Sequence, residues 1–138
     1  MNCDEQTIRE WRELGFYYQR DESIEQWWLV GSKSGLSKFL DYLQHYSNNT
    51  SLRSISEHIH LGPHNYLEIM TWHKPLISNH AIAGNLADIA RLKTIISNKL
   101  LGANAGEIFE IGSDYAPDSE YTIKFFVMAD SFDPGSIE

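Results

Sequence analysis

Ser56–Lys74 reads SEHIHLGPHNYLEIMTWHK: two alternating runs joined by Gly62-Pro63-His64-Asn65. Gly, Pro and Asn between alternating runs mark a β-hairpin. Successive side chains on a strand point to opposite sides, so Ile55, Ile59 and Leu61 fall on one face and Ser56, His58 and His60 on the other. On the second strand Leu67 and Ile69 share a face, and Tyr66, Glu68, Met70 and Trp72 share its opposite. The aliphatic set is therefore core, and the His/Tyr/Glu/Met/Trp set lies on the other side of the sheet.

Directly opposed residues in an antiparallel pair must point to the same side, which limits the turn. A three-residue loop sets His58 against Glu68 and His60 against Tyr66. A five-residue loop sets His60 against Glu68 and His58 against Met70. A four-residue loop is excluded, because Ile59 would oppose Glu68 and mix the faces. Either permitted register brings a histidine to Glu68.

Working outward, the chain before the hairpin opens with a short helix over residues 1–15: Asp4 as N-cap, Ile8 and Trp11 spaced by three, Gly15 as stop. A strand begins at Phe16-Tyr17-Tyr18. Trp27-Trp28-Leu29-Val30 is apolar on both faces and reads as a central strand. Leu36, Phe39, Leu40, Leu43 and Tyr46 then form a helical stripe, with Lys38, Asp41 and Gln44 turned outward. After the hairpin, His80–Gly84 is extended. Asn85 caps a second helix with Asp88 three residues on, and Ile89, Leu92, Ile96 and Leu100 are its buried stripe. Glu107–Gly112 and Tyr121–Ala129 are the last strands, separated by an acidic loop holding Asp114, Tyr115, Asp118 and Glu120.

From Trp27 the order β-α-β-β-α-β predicts an α+β fold of the ferredoxin-like, split βαβ kind. One antiparallel sheet would carry two helices on one face, with extra strands at both ends. No internal repeat is visible in the residues. The whole of 1–138 is expected to be one domain, with an extension over 1–22, a core over 27–129 and a loose tail over 130–138.

Composition narrows the function. The 138 residues carry 11 basic and 19 acidic side chains, a net charge of −8 that repels phosphate backbones and argues against nucleic acid as the main partner. No apolar run reaches the roughly 18 residues of a membrane span, and MNCDEQTIREW lacks the basic start and apolar stretch of a secretory leader. With a single cysteine, Cys3, internal disulfides are impossible, and a cytoplasmic location is expected. Neither a dinucleotide-binding glycine motif nor a P-loop occurs, and no cofactor is expected.

Two histidines at i, i+2 on a strand, with Glu68 across from them, can share a metal. Outward histidines on a strand also serve simply as surface hydrogen-bonding groups, and no second ligand cluster accompanies them. The same trio can serve as an acid–base pair, though no nucleophile or oxyanion site accompanies it. Tyr, Trp, Met and His on an uncovered sheet face, rimmed by acids, have the composition of a protein interface. A covering N-terminal helix is the competing explanation for that face.

Glu57-His58-Ile59-His60 with Pro63, Tyr66–Trp72, and Ile82-Ala83-Gly84-Asn85-Leu86 with Asp88-Ile89, Leu92 and Ile96 resemble small bacterial immunity proteins encoded beside polymorphic toxins. The likeness spans about residues 25–130. It implies a non-enzymatic cytoplasmic inhibitor whose partner is a cognate toxin domain. Under it the contact candidates are His58, His60, Tyr66, Glu68, Met70 and Trp72 on the open face, with Asp114, Tyr115, Asp118 and Glu120 in the acidic loop. The alternatives are a small metal-dependent or acid–base enzyme using His58, His60 and Glu68, and a homodimer packing through its open faces.

Overall fold

The computed structural model describes residues 5–64 and 67–136. Among them are three α-helices, α1 (Glu5–Leu14), α2 (Lys33–Asn48) and α3 (Leu86–Leu101). Eight strands accompany them: β1 (Tyr17–Asp21), β2 (Gln26–Ser32), β3 (His58–Leu61), β4 (Leu67–Thr71), β5 (Leu76–Ile77), β6 (Ala81–Gly84), β7 (Ile108–Ile111) and β8 (Thr122–Met128). The class is α+β, as the sequence predicts. Among these residues no helix is long and apolar enough to cross a membrane.

The expected single antiparallel sheet is replaced by two mixed sheets of four strands, ordered β1-β2-β8-β7 and β3-β4-β6-β5. Each consists of two antiparallel hairpins joined through a parallel central pair, β2 with β8 and β4 with β6. Parallel partners cannot be joined by a tight turn: β8 follows β2 only after residues 33–121, whereas β4 reaches β6 through residues 72–80, by way of β5. Helices α2 and α3 pack on one another, α2 lying against β2 and β8 and α3 against β6. One continuous core results, holding Trp27, Leu29, Phe39, Leu43, Ile69, Ile82, Leu92, Ile96 and Phe125.

The structure repeats itself where the residues gave no sign of it. Hairpin β1-β2, helix α2 and hairpin β3-β4 form one ββαββ unit; β5-β6, α3 and β7-β8 form the second. Exchanging the units turns one sheet's strand order into the other's. Both helices have sixteen residues and are entered from a strand through a glycine and an N-cap, Gly31-Ser32 and Gly84-Asn85. Leu36, Phe39 and Leu43 match Ile89, Leu92 and Ile96 as buried positions. Register matches as well: Leu61 faces Leu67 and His58 faces Met70 in one unit, Ile111 faces Ile123 and Ile108 faces Phe126 in the other. Even the turn before the third strand recurs, Ser56 at φ 74 corresponding to Gly106 at φ 93. Ser56 N–H donates to the Thr71 carbonyl and Thr71 N–H to that of Glu57, as Gly106 and Val127 do to Val127 and Glu107. Burial class and backbone geometry are shared while side-chain identities are not, which is why the repeat is hidden from the sequence.

Two further expectations change. Over residues 130–136 the tail is not loose: Pro134 and Gly135 are buried, and Arg12 makes a two-pronged ion pair with Asp133 (3.0 and 2.7 Å) that holds the segment on α1. Ile55 is not core; it lies in the turn before β3 and is 52% exposed. The Asp4 cap lies outside the described residues.

Candidate functional site

Strand β3 is the edge of its sheet, and its start is fixed from three sides. Tyr46, the last buried residue of α2, donates its hydroxyl to the Glu57 carbonyl (2.8 Å) and meets the Thr71 hydroxyl (2.7 Å). Burial first of all raises the Tyr46 phenol above its usual value. The Ser56 and Thr71 backbone bonds described above complete the clamp. Beyond β3, Gly62 adopts φ 81, and a Cβ there would lie 2.6 Å from the Tyr18 ring, so the turn depends on glycine both for its backbone angle and for space.

The register is that of the five-residue loop. His58 faces Met70, Ile59 faces Ile69, His60 faces Glu68 and Leu61 faces Leu67. On β6, Ala81 continues the His60–Glu68 row and Ala83 the His58–Met70 row, which ends at Leu76 on β5. Leu61, Leu67, Ile69 and Thr71 are buried, whereas His58 and His60 are exposed and Glu68 and Met70 half-buried. The alternation therefore puts two imidazoles, a carboxylate and a thioether side by side on the outer face. The His58 and His60 rings stand nearly perpendicular with centroids 5.1 Å apart. His58, His60 and Glu68 each offer one ligand atom, all within 4.8 Å of one another. The Ser56 carbonyl accepts a hydrogen bond from His58 Nδ1 (2.9 Å), a partner that no sequence pattern signals.

Other expected members of the site are placed differently. Trp72 lies beyond the end of β4, half-buried, its ring 4.8 Å from that of His73. Tyr66 lies outside the described residues. Helix α1 does not cover the histidine face as its main contact: it packs on the C-terminal turn and α2, while Trp11 is buried against Tyr17, Tyr18 and His64.

The acidic loop divides in two. Its first part is clamped to α3. The Asp114 carboxylate pairs with Lys99 (2.8 Å) and accepts from the Gly112 N–H (2.8 Å). Burial pushes that carboxyl up, but Lys99 and the Gly112 N–H outweigh it and hold the group below its usual value. Tyr115 is 1% exposed, donates its hydroxyl to the Ala83 carbonyl (2.6 Å) and lies under the Arg91 guanidinium, so it is a core residue and not a surface contact. The second part is open. Ser119 accepts from the Ile77 N–H (2.7 Å), docking the loop on β5, and Asp118 sits 3.8 Å from Lys74 with most of its side chain in solvent. Glu120 lies against Glu25 and, chiefly through their hydrogen bond, raises the Glu25 pKa.

A second open face escaped the sequence reading. On the outer side of the first sheet, Tyr17, Val30, Phe126 and Ile108 form one row, and Trp28, Lys124 and Glu110 the next. Trp28 and Phe126 meet edge to face at 5.3 Å. Trp27 is the buried member of the Trp27-Trp28 pair and Trp28 the outward one, so β2 is central in its sheet without being covered on both faces.

No family model, curated protein or solved structure matches the chain.

Proposed function

We propose that this chain is a non-enzymatic binding protein of the immunity type, which neutralises a cognate bacterial toxin domain by covering it. The observation that carries the reading is the outer face of the β3-β4-β6-β5 sheet. There His58, His60, Glu68 and Met70 stand in register on a rigid sheet that no helix covers as its main contact. Half-buried apolar groups beside polar ones are the chemistry of interface cores, and a flat sheet face offers preorganised side chains. Asp118 and Glu120 extend the surface beyond β5 and supply negative charge. The net charge of −8 favours fast association with a basic partner, as a nuclease cleft would be. Asp114 and Tyr115 drop out of the contact set, because one is held by Lys99 and the other is buried.

The test is growth rescue. The reading expects a toxin gene beside this one, and its absence counts against the reading; the C-terminal domain that such a gene encodes is expressed alone, to arrest growth, and then together with this chain. Protection by the wild type, lost in a Glu68→Lys/Met70→Asp variant that remains folded by circular dichroism, supports the reading. No protection by the wild type overturns it. Protection that survives in the variant removes this face as the contact.

A further inference from the structure

We infer that His58, His60 and Glu68 form a binding site for a first-row divalent transition-metal ion of the zinc type. The inference does not rest on the toxin reading, since the site needs no partner protein.

Geometry comes first. Three atoms that all lie within 4.8 Å of one another can be touched by an ion no farther than about 2.8 Å from each. Zinc binds imidazole nitrogen at about 2.0–2.1 Å and carboxylate oxygen at about 2.0–2.2 Å. Each ligand therefore has to close in by at most roughly 0.7 Å, which small χ rotations of two exposed imidazoles supply without moving the strands.

One ligand is already oriented. The Ser56 carbonyl accepts from His58 Nδ1, so in the neutral ring Nε2 is the nitrogen left to bind a metal. A backbone carbonyl on the non-ligating nitrogen is the usual way a metal-bound histidine is oriented and kept in the right tautomer. Two imidazoles and one carboxylate select zinc, cobalt, nickel or copper over magnesium and calcium, which favour oxygen. Three protein ligands leave a position of the tetrahedron open to water or to a donor from another molecule.

The repeat shows that this donor set is particular to the first unit. Position by position, His58, His60 and Glu68 correspond to Ile108, Glu110 and Lys124 of the other unit, with the same strand pairing. Lys124 stands where a ligand would be, so the second sheet has no equivalent donor set. Both units set a basic against an acidic residue at one register, His60 with Glu68 and Glu110 with Lys124, but only the first adds a second imidazole and so a three-ligand set.

The experiment is calorimetric titration of the full chain, stripped with chelator and dialysed, with zinc chloride, and in parallel with cobalt chloride. One ion per chain is expected. Affinity falls at least tenfold in each of His58→Ala, His60→Ala and Glu68→Gln, and stays unchanged in His80→Ala, whose exposed ring instead meets Asn79. Cobalt gives the intense visible absorption of a four-coordinate site, lost in the His58→Ala/His60→Ala double variant. Circular dichroism and melting in chelator confirm that the variants fold. Absence of saturable binding overturns the inference, as does binding that the double variant retains or that His80→Ala weakens equally. Metal binding without growth rescue would refute the toxin reading alone, and rescue without metal binding would refute this one alone.

Discussion

Replacing Gly35 by alanine sets two effects of opposite sign against each other. Gly35 is in the first turn of α2, and in an isolated helix Gly→Ala stabilises by about 1 kcal/mol. Here a Cβ at position 35 would lie 2.1 Å from the Gly15 carbonyl oxygen and 3.2 Å from its carbon. A comfortable carbon–oxygen approach is about 3.3 Å, so the two backbones must separate by roughly 1.2 Å. Gly15 has little room to yield. It sits at φ 95, donates its N–H to the Trp11 carbonyl (3.0 Å), and ends a helix whose Trp11 and Leu14 are buried. Overpacking of this kind costs about 1–3 kcal/mol, and a backbone obstacle belongs at the upper end. Net destabilisation of about 2 kcal/mol is expected, or a melting point lower by roughly 6–10 °C in a chain of this size. The control is Gly102→Ala at the end of α3. There φ is −87 and the nearest neighbour to a new Cβ is the Lys99 carbonyl oxygen at 4.0 Å, so the variant should gain about 0.4–1 kcal/mol. Urea unfolding followed by tryptophan fluorescence and by circular dichroism measures both. A Gly35→Ala protein as stable as the wild type would refute the close approach of α1 to α2.

Tyr115→Phe removes the donor to the Ala83 carbonyl in a buried site and should cost about 1 kcal/mol, seen as a lower urea midpoint with an unchanged slope. An unchanged midpoint would mean that this hydrogen bond does not hold the loop. Glu120→Gln tests the carboxylate pair. A carboxyl whose folded pKa is raised, as that of Glu25 is, contributes stability below its unfolded value and loses it as pH rises through the folded one. At neutral pH the two charges repel, so the variant should melt higher than wild type at pH 7, the gain vanishing below about pH 4. A gain independent of pH would contradict the pairing.

The hairpin was legible in detail because period-two alternation and the rule that opposed residues share a face left two registers, one of which the structure adopts. The contact role of the acidic loop was read from its charge alone, and charge does not reveal burial. Tyr115 goes into the core because a carbonyl of β6, thirty-two residues earlier in the chain, accepts its hydroxyl. Likewise Trp27 and Trp28 are indistinguishable as neighbours in sequence; pairing with β8 decides which one faces α2 and which faces outward.

By itself, then, the sequence determined what depends on neighbours along the chain. Both long helices, the Asn85 capping box, the hairpin and the outward placement of His58, His60 and Glu68 follow from local spacing and turn chemistry. What only the tertiary structure decided is which hairpin joins which. The parallel pair β2–β8 unites strands separated by residues 33–121, and β4 pairs with β6 in preference to β5, which follows it in the chain; hydrophobic alternation specifies that a strand has a buried face but not whose edge it meets. Two sheets in place of one and the hidden ββαββ repeat come from that choice, whereas the three ligand atoms approach to within 4.8 Å inside the single hairpin β3-β4.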